Sequence, residues 1–391
     1  MKILSVVGAR PNFMKIAPFV RAIEKYNNSI QNSACPPWRE VRIQHLLCHT
    51  GQHYDDNMSK AFFEQLNIPE ADINLGVGSG THGQQVGQTI IEFEKVLKEH
   101  KPDWVVVVGD VNATLACSVT AKKEWIKCCH IEAGLRSNDI TMPEEINRLV
   151  TDRVSDLLLT PDKIAIDNLR KEGVPEERIK FVGNIMIDTL LANKEKTSVL
   201  DINKIVGDNS LKEINTFNLS EEEYGIITIH RPSNVDNQKI LSEIIEFLCE
   251  DVSKELKLIF PMHPRTKSRL LDYGLMEKLD NNSNIVLTSP LGYLEMLRLN
   301  MTSKIMLTDS GGLQEECTVL GTPCLTLRWN TERPVTLREH GGVSVLVGNN
   351  IQRIRDEFYN TIKMERNPYQ PELWDGHTAE RCLEAIINYK G

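Results

Sequence analysis

Residues 104–136 read WVVVVGDVNATLACSVTAKKEWIKCCHIEAGLR. WVVVV and KCCHI are short, nearly unbroken apolar runs, and they flank a helical stretch that starts near Asn112. Strands of that composition need cover on both faces, which a parallel sheet wrapped by helices supplies. The same rhythm continues outward. KILSVV and RIQHLLC precede it, LLLT follows, and YGIITI, LKLIF, NIVLTS, KIMLT, CLTL and VSVLV occupy the second half. Helical periodicity lies between the runs: Val86, Ile90, Phe93 and Leu97 share one helix face, and residues 238–250 and 291–299 look alike.

This βαβ alternation predicts an α/β protein with two Rossmann-like, doubly wound parallel-sheet domains and a cleft between them. The rhythm weakens between about Gly183 and Glu223, so the expected division is 1–185, 186–375, and a C-terminal helix, 376–391, packing back on the first domain. In that last segment Ala379, Cys382, Leu383 and Ile386 share a face. Residues 29–40, SIQNSACPPWRE, read as a polar loop.

The 391 residues allow two or three domains, each with its own core. Lys and Arg total 45 against 54 Asp and Glu, a net charge of −9 without any basic block. Nonspecific binding to nucleic acid or to an anionic membrane is therefore not expected, although a local cationic cluster can still hold a small anion. The nine cysteines show no C-x-x-C spacing and most sit in apolar runs, as reduced thiols of a cytoplasmic protein do. No apolar run reaches the roughly 18–20 residues that span a bilayer, and the N-terminus meets Gly8 and Arg10 too early for a signal-peptide core.

In open parallel sheets ligands bind beyond the carboxyl ends of the strands, so polar residues just after the apolar runs are the candidates. Ser310-Gly311-Gly312, between a strand and a helix, offers open backbone N–H groups and a helix dipole suited to a diphosphate. An ordinary tight turn would have the same composition. Glu316, about one turn further on, could accept hydrogen bonds from a pair of sugar hydroxyls, or face solvent. Arg10 and Lys15 flank a helix start, where a structural cation is poorly placed and a phosphate partner is a better explanation. Asp110 suits either a helix cap or a site. Glu132 directly follows a buried strand, so it needs a function or a partner such as Arg136 or Arg148.

Glu144 and Glu145 follow Pro143, where acidic residues suit any first helical turn, and Arg148 is spaced to pair with Glu144. His230-Arg231-Pro232 makes a basic corner, while His263 has the character of a core histidine. No metal-ligand spacing occurs, so no metal is expected. The dinucleotide fingerprint is missing at the first strand, where Gly-Ala-Arg-Pro stands, so no nicotinamide cofactor is expected either.

Taken in order, GARPNFMKIAP, TGQH, GD, HIEAGLR, PEEINR, HRPSN and DSGGLQEE resemble the non-hydrolysing UDP-N-acetylglucosamine 2-epimerases, from Lys2 through Arg333-Pro334. The resemblance implies a GT-B-like pair of domains, a homodimer, no cofactor, and interconversion of UDP-GlcNAc with UDP-ManNAc. It assigns Arg10, His230, Ser310, Gly311, Gly312 and Glu316 to the UDP moiety. Asp110, Glu132 and Glu144 correspond to the catalytic carboxylates, and Lys15, Arg148 and His230 to further active-site positions. The chain departs from the pattern at Arg231-Pro232-Ser233-Asn234, where many relatives read Arg-Arg-Glu-Asn, and at Tyr54-Asp55 after TGQH. Gln52 and His263 are the candidate contacts for an allosteric second substrate molecule. A hydrolysing epimerase releasing UDP and ManNAc, and a glycosyltransferase of the same fold, remain alternatives. The three carboxylates argue against a catalytically inert sensor.

Overall fold

A computed structural model describes residues 1–8, 10–32, 42–51, 70–212 and 218–390. The chain divides into two compact units, Met1–Leu191 with Pro371–Gly391, and Ala192–Gln370.

In the first unit the described residues form a seven-stranded sheet of β1 (Lys2–Val7), β2 (Gln44–His49), β3 (Ile73–Asn74), β4 (Trp104–Val108), β5 (Lys127–Ile131), β6 (Leu157–Thr160) and β7 (Ile179–Phe181). Its order is β3-β2-β1-β4-β5-β6-β7, with every pair parallel. All five residues of β4 are buried, as a strand covered on both faces requires. The helix His82–His100 begins with a Thr81–Gln84 capping box and buries Phe93 and Leu97; Val86 and Ile90 are half-buried at its margin. The helix Arg10–Asn32 extends four residues into the segment read as a loop from Ser29, because Ser29 bonds back to the Tyr26 carbonyl within the helical turn.

The C-terminal helix Thr378–Ile387 buries Ala379, Cys382, Leu383 and Ile386 and contacts the helix Arg10–Asn32. Asp188 caps its start, accepting the N–H groups of Thr378 at 3.1 Å and Ala379 at 2.7 Å. Just before it, Trp374 is fully buried and donates to the Pro161 carbonyl at 2.9 Å. Burying an indole of that size contributes roughly 4–6 kcal/mol by area, enough to hold the returning segment.

The second unit has a six-stranded sheet of β8 (Tyr224–Thr228), β9 (Lys257–Pro261), β10 (Ile285–Thr288), β11 (Ile305–Thr308), β12 (Cys324–Thr326) and β13 (Ser344–Leu346), all parallel, in the order β10-β9-β8-β11-β12-β13. Side chains alternate between two cores. Ile227, Phe260 and Leu307 enter one, and Ile226, Ile259 and Met306 enter the other.

Both sheets reverse their order beside the first strand of the unit. The crevices at the carboxyl ends of β1 and β4, and of β8 and β11, are therefore where such sheets bind ligands. None of the eight described cysteines forms a disulfide. Among the described residues no helix is long and apolar enough to cross a membrane.

Candidate active site

At the first unit's crevice, Asn12 ties the two strand ends together: its amide donates to the Val108 carbonyl at 2.7 Å and accepts from the Gly8 N–H at 3.3 Å. β4 and β5 pair Val108 with Ile131, so Gly109-Asp110 and Glu132 leave the sheet side by side. Glu132 has φ 74°, a left-handed backbone rare for a residue with a side chain. Holding it there costs about 1–2 kcal/mol, a strain of the kind found at functional sites. Its buried carboxylate pairs with the Lys15 ammonium. Of the two arginines named as possible partners, Arg136 is taken up by Asp152 and Glu172.

Asp110 leaves capping to the backbone of Val111 and pairs with Arg148 at 2.5 Å. Asn147 donates to the Asp110 carbonyl at 2.8 Å. Arg148 is buried and reaches Glu145 at 2.5 Å; the i,i+4 pairing with Glu144 gives way to this i,i+3 pairing, since Glu145 points inward and Glu144 is half-buried on the same first turn. Burial alone would raise the Glu145 carboxyl, but the Ser137 N–H and Arg148 outweigh it and hold it below the usual range. An atom built as Cβ on Gly109 would lie 3.1 Å from Lys15 Nζ and 3.3 Å from Glu132 Oε2, so this position keeps the approach to the charged cluster open.

At the second unit's crevice, the fully buried Asp309 organises the ends of β8 and β11. It accepts the backbone N–H groups of His230 at 2.9 Å and Arg231 at 2.8 Å, the Asn234 amide at 3.0 Å, and the His230 ring Nδ1 at 2.9 Å. Burial pushes this carboxyl up, yet the His230 ring and those N–H groups hold it low. The His230 ring lies 5.1 Å from that of His263. His263 caps the helix Pro264–Asp272 by accepting the Arg265 N–H at 3.2 Å, a structural use of its ring. Burial, then the neighbouring His230, lowers its pKa.

Ser310 is the N-cap of the helix Gly311–Leu320, but its hydroxyl makes no capping bond, and Ser310, Gly311 and Gly312 are half-buried. Their backbone donors suit an anion. A Cβ on Gly311 would come within 2.6 Å of Arg333 Nη1 and 2.8 Å of Glu332 Oε1. Arg333 is thus a buried cation beside the glycine turn, held by Glu315 at 2.7 Å and by Glu332. Within the helix, burial pushes the Glu316 carboxyl up to about 8. Its carboxyl is buried against the Tyr293 hydroxyl and the Asn300 amide.

The structure therefore places Lys15, Asp110, Glu132 and Arg148 at one crevice and His230, Ser310, Gly311 and Gly312 at the other, while Glu316 is buried further along the helix Gly311–Leu320 and Glu144 stands half-buried on the first turn of the helix Pro143–Val154 without a bond to the first group. Expectations placed on the Arg10 side chain and on Gln52 lie outside the described residues. Asn12, Glu145, Asp309 and Arg333 carry no role in the sequence reading. Only the i,i+3 spacing of Glu145 and Arg148 could have signalled one of them. Among the described residues no group of three His, Cys, Asp or Glu side chains could hold a metal ion.

Residues 38–387 match the family described as UDP-N-acetylglucosamine 2-epimerase. A protein of that name from Methanocaldococcus jannaschii is 42% identical over 390 residues, covering 100% of this chain and 99% of that one. A UDP-2,3-diacetamido-2,3-dideoxy-D-glucuronate 2-epimerase from Pseudomonas aeruginosa is 39% identical over 89% of this chain and 88% of its own. The crystal structure of the M. jannaschii UDP-GlcNAc 2-epimerase in complex with UDP-GlcNAc and UDP superposes with a TM-score of 0.86 at 40% identity, covering 99% of both chains.

Proposed function

The chain belongs to the UDP-N-acetylglucosamine 2-epimerase family, and from that premise we propose that it interconverts UDP-GlcNAc and UDP-ManNAc without hydrolysing either. The observation that carries this reading is the polar equipment of each unit's own crevice. One holds paired carboxylates and cations. The other combines a glycine-rich helix start with a buried arginine.

The hydrogen at C2 of the sugar is too weakly acidic to leave alone. In the proposed reaction a carboxylate removes it while the C1–O bond breaks. The C2–H electrons become a C1=C2 double bond and UDP departs with the C1–O pair. A proton then returns to C2 on the opposite face, and a UDP oxygen adds back to C1. The Gly311 and Gly312 N–H groups, with Arg333, His230 and Arg10, stabilise the leaving diphosphate, and Glu316 accepts the ribose hydroxyls. Asp110, Glu132 and Glu144 supply acid and base, with Lys15 and Arg148 setting their charge; each such group is typically worth 10²–10⁴-fold in rate.

The test is NMR of UDP-GlcNAc incubated in D₂O. The reading requires deuterium at C2 of both epimers without stoichiometric release of UDP. Net UDP and free ManNAc would support a hydrolysing enzyme, and no exchange without an acceptor would support a transferase. A diacetamido-glucuronate substrate is the second reading, favoured by the P. aeruginosa relative; exchange confined to that sugar would establish it. We further propose a homodimer that supplies UDP-ManNAc for surface glycans; sedimentation at monomer mass would contradict the dimer.

A further inference from the structure

Behind the strand ends that carry Asp110 and Glu132 lies a buried polar network the reaction above leaves unused. His130 in β5 has no exposed surface, and Asp152, in the helix Pro143–Val154, is 1% exposed. The Nδ1 of His130 lies 2.6 Å from Asp152 Oδ1, and its Nε2 lies 2.9 Å from the Gly109 carbonyl oxygen. A carboxylate and a carbonyl both accept, so both ring nitrogens donate. The second oxygen of Asp152 accepts the Gly134 N–H at 3.0 Å and pairs with Arg136 Nη1 at 2.7 Å. Arg136 in turn forks onto Glu172 at 2.7 and 2.8 Å.

A single carboxylate thus grips residues 130, 134 and 136, the two flanks of the turn in which Glu132 stands at φ 74°. Gly134 belongs to the same device. It has φ 84°, and a Cβ there would come within 2.5 Å of the Ala165 carbonyl, so the turn closes tightly against the neighbouring helix. Through His130 the same carboxylate also fixes the Gly109 carbonyl, the peptide unit that leads into Asp110. Burial would push the Asp152 carboxyl up, but His130 and then Arg136 outweigh it and keep it below the usual range. A buried charge is retained at such cost only where it is fully paired, as this one is.

We propose that Asp152, acting through His130, Gly134 and Arg136, is the positioning residue that holds Asp110 and Glu132 at one fixed spacing for the proton transfers at C2. The proposal rests on the epimerase reading above. A network that merely stabilises the fold would leave the turnover of correctly folded enzyme unchanged, whereas a positioning network controls kcat.

Asp152→Asn keeps the side-chain volume but replaces one acceptor with an NH₂ group that faces donors. For folded variant the expected result is a fall of about 10²-fold in kcat for C2 deuterium exchange, the loss typical of misplaced reacting groups. KM for UDP-GlcNAc and the Kd of UDP should stay within about twofold. A kcat within about twofold of wild type, or a loss carried by KM alone, overturns the proposal. Should the variant fail to fold, ¹⁵N-histidine NMR of the wild-type chain decides. The network requires protons on both ring nitrogens of His130, with the Nδ1 proton strongly downfield, and a bare ring nitrogen overturns it. Wild-type protein that never exchanges C2 defeats the epimerase reading and this role together. Exchange in wild type with an unaffected Asp152→Asn variant defeats this role alone.

Discussion

Replacing Lys15 by methionine removes the cation from one of the most enclosed ion pairs in the chain, with side chains only 8% and 4% exposed at Lys15 and Glu132. The methionine fills nearly the same volume, so the change is electrostatic rather than a cavity. Taking one partner from a buried pair costs about 3–5 kcal/mol, because the remaining charge stays in low dielectric. For a unit of roughly 200 residues each kcal/mol moves the melting midpoint by about 2–4 °C, which gives a drop of roughly 6–20 °C. Glu132→Gln in the same background removes the second charge, and the double variant should recover roughly 1–3 kcal/mol relative to the sum of the singles. Thermal melts read this out, with hydrogen exchange of peptides spanning β1 and β5 assigning the transition to the first unit. A Lys15→Met midpoint within about 2 °C of wild type, or strict additivity in the double variant, would refute the coupling between these side chains.

Other consequences can be checked separately. Glu316 is pushed up to about 8 by burial, so between the ordinary glutamate value near 4.3 and pH 8 the folded state holds a proton that the unfolded chain has released. Stability should therefore fall as pH rises through that window, by up to about 1.4 kcal/mol per pH unit. Urea titrations at pH 5, 6, 7 and 8 should show this slope vanish in Glu316→Gln, and an unchanged slope contradicts the assignment. Gly311→Ala drives a methyl toward Arg333 and Glu332, and calorimetry should find UDP binding weakened at least tenfold; unaltered affinity would exclude the glycine turn from the diphosphate site. Asp110→Asn and Glu144→Gln should each slow C2 exchange by about 10²–10⁴-fold while UDP binds within twofold of wild type. Weakened UDP binding with intact exchange would reverse those roles.

Much of the architecture is legible in the sequence because parallel strands buried on both faces are written as unbroken apolar runs. WVVVV, KCCHI, LLLT and KIMLT all mark strands of the structure. The two-residue β3 and three-residue β7 escape because edge strands that short carry no period. The helix Arg10–Asn32 outruns its reading because polar residues on a solvated face look like a loop. Candidate site residues just beyond strands are visible by position, as Asp110, Glu132, His230 and Ser310 illustrate. Their partners are not. That Glu132 meets Lys15, and that Asp152 reaches back to His130, depends on residues 117 and 22 positions apart, a separation no local pattern encodes.

In the proposed reaction the bond from C1 to the diphosphate breaks in the same event that frees the hydrogen at C2. UDP-GlcNAc carrying ¹⁸O in the bridge between C1 and the β-phosphorus tests it directly in D₂O. The label should scramble into the non-bridging β-phosphate oxygens alongside deuterium entry at C2, and both processes should be lost together in Glu132→Gln. Deuterium entering C2 while the label stays wholly in the bridge would contradict it.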